Sequence, residues 1–129
     1  MSTTEPSFKV GSIVSADLTV PDADEVRDFY QGVIGWTVEN IDMGDYDDYL
    51  VKTADRTRPV GGICHKRGVN EGLPPVWMLY VNVEDLSHSA KRCVEMGGKV
   101  LVENDQYAVI QDPAGAVLAI TRVVDEPAP

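Results

Sequence analysis

Apolar and polar residues alternate over 12–20, with Val14, Ala16, Leu18 and Val20 on one parity, the period of a half-buried strand. Pro21-Asp22 breaks the run. Asp22 or Asp24 can cap the helix that follows, whose apolar Val26, Phe29, Tyr30 and Val33 recur at helical spacing until Gly35 ends it. An extended pattern resumes over 36–41. Two further strands are predicted over 49–53 and 63–66, separated by a polar turn, Pro59 and the Gly61-Gly62 pair. From Val76 the order returns. A strand carries Trp77, Leu79, Val81 and Val83 in alternation, and Asp85 precedes a helix bearing Leu86, Ala90, Cys93 and Val94 that stops at Gly97-Gly98. Short strands follow over 100–102, 107–111 and 116–123.

The two halves overlay as an internal repeat. At an offset of 63, Leu18-Thr19-Val20-Pro21-Asp22 falls on Val81-Asn82-Val83-Glu84-Asp85 and Gly35 on Gly98; the offset shrinks to 58 at Tyr49 and Tyr107, and to 54 at Pro59-Val60-Gly61 and Pro113-Ala114-Gly115. The prediction is an α+β chain of two tandem β-α-β-β-β modules, about 12–67 and 75–123 in one domain, with unstructured tails over 1–11 and 124–129. Val14, Leu18 and Val20, and Leu79, Val81 and Val83, are expected under the helices. Ser15, Asp17 and Thr19, and Met78, Tyr80 and Asn82, take the other parity and the opposite face.

With 129 residues, 43% of them apolar, the chain buries one sizeable core. Its longest apolar run, the six residues from Val76 to Val81, is too short to span a membrane, and residues 1–10 lack the apolar centre of a signal peptide. A cytoplasmic protein is expected. The formal charge of −10 repels nucleic acid and anionic membranes and favours cationic small molecules. Cys64 and Cys93 are read as reduced core thiols.

VSADLTVPDADEVRDFYQGVIGW resembles the opening of the vicinal oxygen chelate superfamily, which includes glyoxalase I, bleomycin-resistance proteins and extradiol dioxygenases; YVNVEDLSHSAKRCVEMGGKV resembles the start of its second module and QDPAGAVLAI its closing strand. The resemblance implies modules curled into a U-shaped open barrel, a ligand or metal in the concave cleft, and a homodimer. The family's enzymes hold a divalent metal through His and Glu at four strand positions. The resemblance places these at Ser15, at its repeat partner Met78, at Ala119 after the closing turn, and at His65 by the offset of 54. One imidazole with no carboxylate meets neither a zinc nor a non-haem iron site, so no metal and no cofactor is expected.

The candidate cleft residues are therefore Ser15, Asp17, Tyr49, His65, Met78, Tyr80, Tyr107 and Ala119. Tyr49 and Tyr107 are expected to face each other across the cleft, and Cys64 to point away from it. Trp36 and Met43 join the tyrosines as an aromatic wall or as plain core. The acidic run 42–48 reads as a solvated hairpin tip, and the basic residues Lys52, Arg56, Arg58, Lys66 and Arg67 as a solvated face, an anion site or a surface paired with that run. The leading functional expectation is metal-independent binding of a small aromatic or cationic molecule. The alternatives are a lyase or isomerase using His65 and Asp17, and a protein-interaction module.

Overall fold

The computed structural model describes residues 9–122. Their elements are β1 (Ile13–Val20), α1 (Ala23–Ile34), β2 (Thr37–Asp42), β3 (Asp47–Lys52), β4 (Pro59–His65), β5 (Met78–Val83), α2 (Leu86–Glu95), β6 (Lys99–Glu103), β7 (Tyr107–Gln111) and β8 (Val117–Arg122), with a 3-10 turn at Gly68–Asn70. This is the expected α+β class, with the β-α-β-β-β order present twice. The expected tails over 1–8 and 124–129, and Val123 of the last predicted strand, lie outside the described residues. Residues 9–11, assigned to the first tail, are instead tied down: Lys9 N donates to Ser12 Oγ at 3.1 Å and Gly11 N to the Asn82 carbonyl at 2.8 Å. No helix among the described residues is long and apolar enough to cross a membrane.

The described residues divide into two compact units, Ser15–Trp77 and residues 78–122 together with 9–14. In the first unit the strands run in the order β2-β3-β4-β1, with β1 parallel to β4. One face packs under α1, where Leu18, Val20, Tyr49, Val51 and Ile63 meet Ala23, Val26 and Tyr30. Gly35 closes the helix in the left-handed region (φ 87) and donates its N–H to the Gln31 carbonyl. Only part of the predicted apolar stripe is used, since Phe29 and Val33 remain more than half exposed.

A second departure is that β4 starts at Pro59, so Gly61 and Gly62 are strand residues, not turn residues. Gly61 lies opposite Ala16 in the parallel pair, and a Cβ there would stand 1.8 Å from the Ala16 carbonyl oxygen. The glycine is needed for that close backbone approach.

In the second unit the order is β5-β8-β7-β6. Leu86 of α2 packs with Ala108, Ile120, Val83 and Ile110, and Asp85 caps α2 by accepting from His88 N at 3.0 Å. Leu79, expected beneath the helix, is instead 39% exposed.

The strand registers also correct the repeat. Leu18 pairs with Ile63, which pairs with Tyr49; in the second module Val81 pairs with Ile120, which pairs with Ala108. The offsets are therefore 63 for β1 and β5, 59 for β3 and β7, and 57 for β4 and β8. The sequence overlay used 58 and 54 for the last two. Those errors of one and three are odd, and an odd slip moves a strand residue to the other face. Tyr49 corresponds to Ala108, not Tyr107; His65 corresponds to Arg122, and Ala119 to Gly62.

Candidate functional site

This correction sorts the predicted residues. Ser15 and Asp17 lie on the face of the first module turned from α1, where Asp17 stands beside Gly62 and Thr19 beside Cys64. Met78, Tyr80, Tyr107 and Ala119 lie on the face of the second module turned from α2. Tyr80 pairs with Ala119, its ring is 6.1 Å from that of Tyr107, and Met78 and Ala119 are buried.

Tyr49 and His65 do not share that parity: both belong to the α1 side of the first module. Cys64, expected to point away, is the one that shares the face of Asp17. The repeat relation that was to set Tyr49 opposite Tyr107 does not hold, and His65 and Asp17 belong to opposite faces of the sheet. Trp36 packs with Tyr30 and Trp77, the three rings 5.4–5.6 Å apart. They form core, with Trp77 Nε1 donating to the Tyr30 hydroxyl at 3.0 Å.

His65, the last residue of β4, is the centre of a cluster that the overlay did not anticipate. Asp48 near the start of β3 accepts from His65 N at 2.8 Å, and the same Oδ1 lies 3.3 Å from Nδ1. On the other side of the ring, Nε2 is 3.5 Å from Oδ1 of Asp24, which also accepts a hydrogen bond from the Tyr49 hydroxyl. The Asp48 side chain is 7% exposed and that of His65 16%, whereas Asp24 is 66% exposed and carries the cluster to solvent.

The Tyr46 ring meets His65 edge-on at 5.3 Å and Tyr49 lies tilted at 6.2 Å. Guanidinium groups lie over both rings, Arg67 over Tyr46 at 4.1 Å and Arg27 over Tyr49 at 4.7 Å. Each arginine has its own carboxylate, Asp45 at 3.4 Å and Asp28 at 2.9 Å. Part of the basic segment thus pairs with the acidic run, as one expectation allowed.

The local causes are plain. Asp22, not Asp24, occupies the N-cap of α1, and its side chain makes no capping bond. Asp24 is thereby the second residue of the helix, with its carboxylate placed to reach β3 and β4. The acidic run forms the β2–β3 connection, where Gly44 N donates to Asp42 Oδ1 at 2.8 Å. Asp48, though part of that run, is in β3 and buried, so the solvated-tip expectation fails for it. A buried carboxylate is retained because it is hydrogen-bonded.

Burial, then donation to Asp24, pushes the Tyr49 phenol up to about 12. Burial, then the nearby Asp17 and Asp48 carboxylates, pushes the Cys64 thiol up to about 12, which keeps it a thiol and not a nucleophile.

The profile of the glyoxalase-like domain matches residues 13–121. The chain belongs to that family. Among relatives of this glyoxalase-like domain is an anthracycline biosynthesis protein of Streptomyces peucetius, DnrV, 31% identical over 89% of this chain and 48% of that one. Another is a protein of Mycobacterium bovis, CFP32, whose name assigns it provisionally to the glyoxylases, 28% identical over 88% and 45%. The chain spans about half the length of these curated relatives. Methylmalonyl-CoA epimerase from Mycobacterium tuberculosis has the same fold, with a TM-score of 0.55 at 17% identity over 98% of this chain and 94% of that one. A hypothetical protein from Bacillus halodurans gives 0.59 at 10% identity over 94% and 100%. These likenesses place the fold in the vicinal oxygen chelate superfamily.

The divalent metal of that superfamily does not fit this glyoxalase-like domain. With the corrected register its four positions hold Ser15, Gly62, Met78 and Ala119, which offer one hydroxyl, one buried thioether and no imidazole or carboxylate. The Asp48–His65–Asp24 trio is no substitute, because the imidazole itself fills the space between the two carboxylates. Among the described residues no group of three or more His, Cys, Asp or Glu side chains is arranged to hold a metal ion.

Proposed function

We propose that this glyoxalase-like domain binds a small aromatic or cationic molecule without a metal ion. The observation that carries the reading is the donor set at the family's ligand positions, where nothing coordinates. The polar machinery stands elsewhere, in the His65 cluster with its two tyrosine rings. A formal charge of −10 supports a cationic guest. The relative named for the biosynthesis of anthracyclines, a class of flat polycyclic aromatics, supports an aromatic one. Differential scanning fluorimetry with 9-aminoacridine, a flat aromatic cation, tests the proposal: the melting temperature rises with added compound, equally with and without a chelator. No rise with 9-aminoacridine, or a rise that requires nickel or zinc, overturns it.

A second reading, a metal-free lyase or isomerase, is favoured by the Asp48–His65 pair. A buried carboxylate that orients an imidazole leaves the far nitrogen as a proton acceptor. Turnover that survives a chelator and is lost in His65→Ala would select it. The proposal also includes a second copy of the chain, supported by the exposed apolar Phe29, Val33 and Ile34 of α1. Light scattering at twice the chain mass of 14.1 kDa supports that copy, and a mass equal to one chain removes it.

A further inference from the structure

The space beside the end of each helix is filled differently in the two modules. In the first, the rings of Tyr30, Trp36 and Trp77 pack on one another and against the cluster that holds Val51 and Ile63. The counterparts in the second module follow from register. The helices begin at Ala23 and Leu86, an offset of 63 that sets Tyr30 on Cys93. Val38 pairs with Val51 and Val100 with Ile110, an offset of 62 for β2 and β6 that sets Trp36 on Gly98. Val51 and Ile63 fall on Ile110 and Ile120. Over an equivalent apolar floor, two aromatic rings are replaced by a thiol and a hydrogen atom.

A groove of about 320 Å³ stands at that place, lined chiefly by Cys93, Met96, Gly98, Ile110, Pro113 and Ile120. Its volume and apolar lining are those of a small-molecule site. The groove's own residues supply no ring: none of them is aromatic, and a Cβ at Gly98 would stand 2.7 Å from the Gln111 carbonyl oxygen. The charged groups at the rim are already engaged. Arg92 Nη1 donates to Glu95 Oε1 at 2.8 Å, and Asp112 Oδ1 accepts from Ala114 N and Ala116 N at 2.8 and 3.0 Å. The interior therefore favours an occupant without charge. Met96, 66% exposed, brings a flexible thioether that packs well on an aromatic edge.

We propose that this groove, between the end of α2 and strands β7 and β8, binds a small neutral molecule built on one or two fused aromatic rings. The ligand takes the place that Tyr30 and Trp36 hold in the first module, resting on Ile110 and Ile120 and meeting the sulfur atoms of Cys93 and Met96. The site goes beyond the binding function above and belongs to the other module from the His65 cluster.

Carbon-13 methyl spectra of the full chain, titrated with indole, test the site. Millimolar indole shifts the Met96 methyl by its ring current and leaves exposed Met43 and buried Met78 unmoved. Cyclohexanol, and the charged relatives tryptamine and indole-3-acetate, bind more weakly than indole. Cys93→Phe restores a ring at the position of Tyr30, weakens indole at least tenfold and keeps the unliganded melting temperature within a few degrees of the parent. Met96→Ala, a change at an exposed side chain that preserves the fold, weakens indole about threefold and decides the matter if Cys93→Phe does not fold. Both variants leave 9-aminoacridine stabilisation unchanged. An unmoved Met96 methyl, equal affinity for cyclohexanol, or unchanged indole affinity in either folded variant overturns the site. So does a Met96 signal that changes with protein concentration, because a second copy then covers the groove. Loss of 9-aminoacridine stabilisation in Cys93→Phe means one site instead of two: the binding function survives and this separate site does not.

Discussion

The two modules share a frame and differ in what they place on it. Strand registers and the apolar row beneath each helix correspond, Leu18–Ile63–Tyr49 in one and Val81–Ile120–Ala108 in the other. At the positions of Asp24, Asp48, Tyr49 and His65, however, the second module has Ser87, Tyr107, Ala108 and Arg122. The β-α-β-β-β unit therefore folds without the ionisable cluster. Its presence in one copy argues for a role beyond stability, since buried carboxylates and buried phenols are costly to place and a module without them packs.

The largest effect that separates the modules is expected at Gly61, whose counterpart Leu118 carries a full side chain. Gly61→Val drives a Cβ into the Ala16 carbonyl and costs more than about 3 kcal/mol, because backbone must move. Urea denaturation measures it, and a variant with the parental midpoint would mean that β1 and β4 do not pair this closely.

Next comes Asp48→Ala. It strips two hydrogen bonds from the His65 backbone and ring and costs about 2 to 3 kcal/mol, the range for bonds to a charged acceptor; a loss under about 0.5 kcal/mol would reduce the cluster to a surface feature.

Tyr49→Phe is smaller, about 1 kcal/mol for one hydroxyl bond, but it carries a pH signature. The phenol is raised in the folded chain to about 12 from an ordinary 10. Its contribution is fully present below pH 10 and is lost as pH rises from 10 to 12. Denaturation midpoints across that range fall more steeply in the parent than in Tyr49→Phe; parallel curves would contradict the burial of the phenol.

The mildest contrast is chemical. Cys64, with its thiol held at about 12, reacts with iodoacetamide at pH 8 more slowly than Cys93 of the second module. Mass spectrometry of the labelled peptides reads the order, and Cys64 labelling first would be inconsistent with its environment.

Much of this organisation was legible in the alternation of apolar residues, because elements that bury one face must repeat at period two or 3.6. The helices, their glycine stops and the doubled order follow from that. Register did not follow. Tyr49 and Tyr107 invite alignment by identity, yet hydrogen bonding sets Tyr49 against Ala108, and one residue of error turns a side chain through the sheet.

The cluster was hidden for related reasons. Asp24 reads as a helix cap, a short-range role, and Asp48 lies within a run of carboxylates that reads as solvent-facing. Both are joined to His65 by contacts 17 or more residues distant, which no local pattern encodes. Gly61 was misread as turn punctuation for the same reason, since its partner Ala16 is on another strand.

The most direct test of the claim that the first module holds the binding function is titration calorimetry of 9-aminoacridine into the parent chain and three variants. Asp24→Asn is expected to weaken binding at least tenfold, whereas Ser87→Ala and Arg122→Ala, at the corresponding positions of the second module, leave it within about twofold. Unchanged binding in Asp24→Asn together with loss in Ser87→Ala or Arg122→Ala would contradict the account.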